Sequence, residues 1–177
     1  IFSQTEGRNV IGGGTTRLGW IGQARADGDF FDTNVALTLT KSAYDDTGLL
    51  VPYVPDVVLR WDGALHGELP FEVASRRPRL SGGFGVSYIG ARALPYGQRS
   101  DTIFTVDAGV NVGYRNFELG VSATNLFDTA YRQVEFNFPS DWQGGGAPTL
   151  VPARHFAAGA PREIMFSLSA NFGGESK

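Results

Sequence analysis

A two-residue alternation of apolar and polar side chains recurs along nearly the whole chain, and no other feature narrows the possible folds as far. In REIMFSLSANF, Ile164, Phe166, Leu168, Ala170 and Phe172 fall in one phase, with Met165, Ser167, Ser169 and Asn171 in the other. Phe104, Val106, Ala108, Val110, Val112 and Tyr114 alternate with Thr105, Asp107, Gly109, Asn111 and Gly113. Phe84, Val86 and Tyr88 alternate with Gly83, Gly85 and Ser87. Val57, Leu59, Trp61 and Leu65 oppose Arg60, Asp62 and His66, and Val35, Leu37 and Leu39 oppose Asn34, Thr38 and Thr40. Leu18, Trp20 and Ala24 oppose Arg17, Gln23 and Arg25, with Ile21 out of phase, and Phe117, Leu119, Val121 and Ala123 complete the set. Successive side chains of a strand point to opposite faces, so this period of two predicts β-strands, while the helical period of 3.6 is almost nowhere found. Ile1 to Asn9 reads as the end of an eighth strand.

Length and face chemistry sharpen the expectation. Many runs last about ten residues or more, against the five or six usual in soluble proteins. Their polar phase carries Gly, Ser, Thr and Asn with a few Arg and Asp, in place of the Lys and Glu of a solvated sheet. The 177 residues contain 24 glycines and only 19% charged residues, below the roughly 25% of soluble domains. Lys41 and Lys177 are the only lysines. No apolar run approaches the roughly 18 residues of a membrane helix. The combination predicts an all-β antiparallel transmembrane barrel meander of about eight strands, its apolar phase toward lipid and its small polar groups inward. Hydrocarbon also demands closure, because an unpaired strand edge there leaves backbone groups unsatisfied.

The connections alternate in length. Short turns at ADGD (26–29) and YRNF (114–117) interleave with longer links over residues 45–55, 91–101 and 128–161; the link over 67–79, containing RRPR, is longer than its position calls for. Short on one rim and long on the other is the pattern of an outer-membrane barrel. It puts the long loops outside a Gram-negative cell and both chain ends on the periplasmic side. A net charge of -3 gives no footprint for nucleic acid, and the absence of cysteine removes any disulfide framework or thiolate metal site. The opening at Ile1 reads as a processed product or part of a longer polypeptide.

Three segments carry a family resemblance. ATNLFDTAYR (123–132) is similar to the NLFD-x-x-Y signature of the penultimate strand in TonB-dependent outer-membrane receptors, with Asn125, Leu126, Phe127, Asp128 and Tyr131 at the signature positions. VPYVPDVVLRW resembles that family's Pro-containing loop leading into a downward strand, and GAPREIMFSLSANF its closing strand, with Phe172 as the terminal aromatic. The resemblance spans residues 51–172. It implies that residues 1–172 are the C-terminal portion of a larger barrel of about twenty-two strands. It also implies import of a scarce ligand (siderophore, vitamin, saccharide or peptide class), with outer-membrane lipid, the remaining barrel and plug, and TonB acting through the plug as partners. No cofactor is implied. The family's plug is not found in this stretch, and where the family usually stops at the terminal aromatic, this chain continues as a short polar tail, 173–177.

The candidate site residues fall into two groups. Arg60, Asp62, Asp107 and Asn111 point inward by phase, where they either contact a plug or ligand path or form lumenal ion pairs without a role in transport. Trp142, Arg154 and His155 lie in the longest link, and Tyr96 and Arg99 in the loop before it; these are the expected ligand-contacting groups, against the plainer reading of solvated loops with incidental aromatics. His66 and His155, the only histidines, lie far apart, so no metal site is expected. GVSYIG and GVSATN miss G-x-S-x-G and sit inside alternating runs, and IGGGTTRLG fails G-x-G-x-x-G with no helix following. No catalytic residue is expected. A small self-contained eight-strand barrel serving as an anchor or adhesin remains the alternative, with an outer-membrane barrel enzyme behind it.

Overall fold

A computed structural model describes residues 2–3, 8–9, 13–141, 146–147 and 149–172. Eleven strands appear among the described residues: β1 (Phe2–Ser3), β2 (Arg8–Asn9), β3 (Thr15–Asp27), β4 (Phe31–Tyr44), β5 (Val57–Glu68), β6 (Arg79–Ile89), β7 (Ile103–Tyr114), β8 (Phe117–Thr124), β9 (Arg132–Ser140), β10 (Val151–Ala158) and β11 (Glu163–Ala170). One 3-10 turn, Pro95–Gly97, is the sole helical element among the described residues, and no helix there is long and apolar enough to cross a membrane. The protein is thus all-β and antiparallel, as the alternation predicts.

Seven strands form one sheet in the order β11-β8-β7-β6-β5-β4-β3. They coincide with the seven alternating runs of the sequence, and their register keeps the phases aligned. Ala24, Val35, Trp61, Val86 and Val106 lie in one row across five strands, and Leu80, Val112, Leu119 and Leu168 in another. Because directly paired residues share a face, one side of the sheet is largely apolar, with Thr16, Thr33 and Lys41 the polar members of that phase in β3 and β4. The other carries Arg60 opposite Ser87, Asp62 opposite Gly85, and Ser81 opposite Asn111. Ile21, out of phase in the sequence, pairs with Thr38 on this polar side and is 79% exposed.

Among the described residues no element is packed on the apolar side. Phe166 is 80% exposed, and the buried apolar side chains among the described residues are Leu94 and Ile103, both at the end of the sheet that carries the long loops. The accessible surface of 12444 Å² is about half as much again as the roughly 8,400 Å² of a compact monomer of 19.0 kDa. Both sheet edges are open among the described residues, with β3 paired to β4 alone and β11 to β8 alone, so no closed ring forms within them.

One rim holds the connections 28–30, 69–78 and 115–116, and the other holds 45–56, 90–102 and 125–162. The link over 69–78 is long for its rim because it folds back on itself: Val73 and Arg76 exchange backbone hydrogen bonds, with Ala74 and Ser75 between them at φ 44° and 61°. Two expectations are corrected. Over residues 1–9, Phe2–Ser3 pairs with Arg8–Asn9 in a two-stranded piece of its own, outside the seven-stranded sheet, where a single strand was expected. The link over 128–161 is not a bare loop, since β9 and β10 form an antiparallel hairpin within it. Trp142 and the tail 173–177 lie outside the described residues.

Candidate functional site

The NLFD segment ties the end of the sheet to the base of the hairpin. Asn125 is 4% exposed and sits at φ 47°, a left-handed conformation that asparagine tolerates better than most residues. Its backbone N–H donates to Asp107 Oδ1 at 3.0 Å, and its Nδ2 donates to the carbonyls of Thr129 (3.0 Å) and Ala160 (3.1 Å). Its Oδ1 accepts the Thr129 N–H at 3.0 Å. One side chain therefore joins the outgoing and returning strands of the 125–162 segment. Asp128, at φ 53°, accepts the Arg162 N–H at 3.0 Å and closes the same junction. Leu126 N–H donates to the Val106 carbonyl at 2.7 Å, while Phe127 is 66% exposed. Tyr131 lies over Gly159, where a Cβ would fall against the phenol ring, and Gly159 N–H donates to the Tyr131 carbonyl. Glycine is required at 159 for that approach.

On the polar side of the sheet, Arg60, Asp62 and Asp107 come together. Arg60 Nε donates to Asp62 Oδ1 at 2.8 Å, its Nη1 donates to Ser87 Oγ at 2.7 Å, and the same Nη1 lies 3.7 Å from Asp107 Oδ2. Gly85, between Asp62 and Asp107 in the register, leaves the space the guanidinium occupies. Asn111 is not part of this cluster; it pairs with Ser81 and Gly120, further along the face.

At the loop-bearing rim a second cluster forms around a residue the sequence reading passed over. Glu135 is 1% exposed, and its carboxylate accepts from Arg132 Nη1 (2.8 Å) and the Asp101 N–H (2.6 Å), with Arg154 Nη2 at 3.1 Å. Arg154 also donates to the Arg99 carbonyl at 3.1 Å and lies 3.3 Å from Asp101 Oδ1, while Arg132 reaches Asp101 Oδ2 at 3.2 Å. The hydrogen bond that Arg132 donates to Glu135 holds the Arg132 pKa above its ordinary value against an opposing desolvation, and the charges of Asp101 and Glu135 add to it. Two residues on, Asn137 is 2% exposed and donates to the Pro95 carbonyl at 2.8 Å. The polar phase of β9 thereby clamps the hairpin onto the 90–102 loop. The signal lay in RQVEFNF, which alternates Val134, Phe136 and Phe138 with Gln133, Glu135 and Asn137.

The remaining candidates distribute around this clamp. Arg154 and Arg99 are brought together, and Arg99 in turn donates to Asp56 (3.3 Å) and the Ala91 carbonyl (3.1 Å). His155, beside Arg154, stacks on Phe138 with ring centroids 4.0 Å apart and has Nε2 2.6 Å from Ser140 Oγ. Tyr96, 54% exposed at φ 60°, lines a cavity of about 340 Å³ with Tyr44, Leu49, Pro52, Leu94 and Arg99. Among the described residues no group of three or more His, Cys, Asp and Glu could hold a metal ion. Comparison with protein families, curated proteins and solved structures finds no match.

Proposed function

We propose that this chain is the C-terminal part of a TonB-dependent outer-membrane receptor, a non-catalytic importer of a scarce ligand. The supporting observation is the seven-stranded meander that exposes one largely apolar face and, among the described residues, leaves both edges unpaired. Water disfavours such a face, while lipid favours it. At about 3.3 Å per residue, strands of eight to fourteen residues reach roughly 26–46 Å, enough for tilted strands to cross a hydrocarbon core of about 30 Å. In this reading the β3 and β11 edges continue into further barrel strands, the polar face looks into a plugged lumen, and the clamped hairpin with Tyr96, Arg99, Arg154 and His155 stands outside the cell. A self-contained eight-strand barrel requires the free edge of β11 to pair along residues 1–9, whereas Phe2–Ser3 and Arg8–Asn9 pair with each other outside the seven-stranded sheet.

The experiment is fractionation of the full-length protein from a Gram-negative host, followed by tryptophan quenching with lipids brominated in the acyl chain. Trp20 and Trp61 lie on the apolar face. The protein is expected in the outer-membrane fraction, with quenching that falls sharply in the Trp20→Phe/Trp61→Phe variant. Recovery from the soluble fraction, or quenching indifferent to those two residues, would overturn the proposal.

A further inference from the structure

The apolar side of the sheet is dimpled where two glycines fall in its phase. Gly63 is paired with Phe84, and Gly82, in the next row, with Leu65 and Val110. A cavity of about 240 Å³ opens there, lined by Gly63, Leu65, Leu80, Gly82, Phe84 and Val110. A Cβ on Gly63 would fall against the Phe84 ring, so that ring lies over the glycine, and it meets Trp61 edge-on with centroids 4.8 Å apart. At Gly82 no side chain fills the space between Leu65 and Val110, which are 55% and 40% exposed. Walls of hydrocarbon with no polar side chain among them suit an alkyl chain.

The rim nearest the dimple is cationic. Tyr114 shares the apolar phase of β7 with Val110, four residues along, or about 13 Å. Its hydroxyl donates to the Val73 carbonyl at 2.6 Å, and the Arg115 guanidinium lies 5.3 Å from its ring centre. The same Val73 carbonyl accepts the Arg76 N–H at 3.1 Å, so the Arg76 backbone and the Arg115 guanidinium both stand beside Tyr114. Arg77 is paired with Glu72, whereas Arg76 and Arg115 are exposed and have no carboxylate partner among the described residues. Phe117, paired with Tyr114, meets Phe172 edge-on, the two 53% and 82% exposed, as in the aromatic girdle where hydrocarbon gives way to headgroups. A separation of about 13 Å fits within one leaflet of a hydrocarbon core of about 30 Å.

We propose that the dimple and these two arginines form one site for a glycerophospholipid with a net negative headgroup, an acyl chain lying over Gly82 and the phosphate held by Arg76 and Arg115. The site rests on the membrane reading above, in which this rim is periplasmic and the lipid belongs to the inner leaflet. The dimple accepts a chain from any lipid; the two unpaired cations select the anionic headgroup.

The test is Trp61 quenching in the full-length protein, taken as the difference from its Trp61→Phe variant. The protein is placed in phosphatidylcholine vesicles doped with a small, equal fraction of acyl-brominated phosphatidylglycerol or acyl-brominated phosphatidylcholine. Phosphatidylglycerol is expected to be preferred about fivefold at Trp61, what one arginine near an anionic surface contributes. Parity is expected in Gly82→Leu, which fills the seat, and in Arg76→Gln/Arg115→Asn, where asparagine tolerates the φ of 54° at 115. Equal quenching by both lipids in the unaltered protein overturns the site. A preference unchanged in Gly82→Leu overturns the chain seat, and one unchanged in the double variant overturns the headgroup contact. Should Gly82→Leu fail to insert, Gly82→Ala decides the seat, because its methyl group meets the Gly109 carbonyl at 3.1 Å and needs only a small shift. Trp61 shielded from both lipids while Trp20 is quenched means that protein covers the dimple, and overturns the site. If neither tryptophan is quenched in vesicles made wholly of brominated phosphatidylcholine, the membrane reading has failed and the site falls with it.

Discussion

The sheet and the β9–β10 hairpin are both built from period-two sequence, yet among the described residues only β9 of the hairpin holds successive residues of one phase almost wholly covered. Across the seven strands the apolar phase stays uncovered, Leu168 at 69% exposure among it, while the polar phase holds small and hydrogen-bonded groups. In β9 the polar phase is the buried one, with Glu135 and Asn137 almost wholly covered and Phe136 42% exposed. Alternation therefore fixes which residues share a face but leaves open which face is covered. The covering is decided by what lies opposite: Arg132, Arg154 and the Asp101 N–H for Glu135, and nothing within the described residues for Phe166 or Leu168.

The largest expected effect breaks the sheet side of this contrast. If the apolar face meets hydrocarbon, Val110→Arg, in mid-sheet opposite Gly82 and Val121, costs about 2–4 kcal/mol of folding stability in a bilayer. Its neighbour Asn111→Arg, on the polar side, costs far less. Urea titration of the two variants of the full-length protein in lipid vesicles measures the gap, and equal losses would remove the assignment of the faces.

The hairpin side is broken at Glu135. Glu135→Ala takes the shared acceptor from Arg132, Arg154 and the Asp101 N–H, and is expected to make opening of the hairpin easier by about 2 kcal/mol. Amide hydrogen exchange should show faster exchange in residues 132–140 and 151–158, with the seven-stranded sheet unchanged. Uniform acceleration across both regions would mean that hairpin and sheet open together and do not differ as described.

This contrast also explains what the sequence made legible. The seven sheet strands were readable because their alternation is long and their polar phase is nearly free of charge, as in Phe104 to Tyr114 with Asp107 alone. β9 and β10 were not, because Pro139, Pro152 and the glycines at 144–146 resemble loop punctuation, and Glu135 within RQVEFNF reads as a solvated charge until its partners at 101 and 154 are brought near by tertiary folding. Arg60, Asp62 and Asp107 were placed on one face by phase alone; that Arg60 reaches Asp62, Ser87 and Asp107 together depends on the register. Asn125 was readable as a backbone-bonding residue at a strand exit, but its contact with the Ala160 carbonyl joins positions far apart in the chain.

A smaller effect tests the joint between the regions. Asn125→Ala removes the acceptor for Thr129 and both Nδ2 contacts and places alanine at a left-handed φ, for an expected loss of about 1–2 kcal/mol. Asn125→Gly restores the backbone freedom but not the hydrogen bonds, so it should recover only part of the loss. Complete recovery, measured by urea titration, would make the residue a conformational device and not a hydrogen-bonded joint.

The smallest expected effect compares like with like, an arginine–carboxylate pair on each side of the contrast. Arg154–Glu135 has a wholly buried carboxylate, whereas Arg60 and Asp62 keep 42% and 43% of their side chains exposed on the open polar face. Solvent screening limits a pair of the second kind to about 0–1 kcal/mol. A double-mutant cycle with Arg60→Ala and Asp62→Ala in the full-length protein therefore reports on what covers that face. A coupling below about 1 kcal/mol means that water reaches the polar side of the sheet in the assembled protein. A coupling above about 2 kcal/mol means that another part of the protein has desolvated the pair, as a plug seated against this face would do.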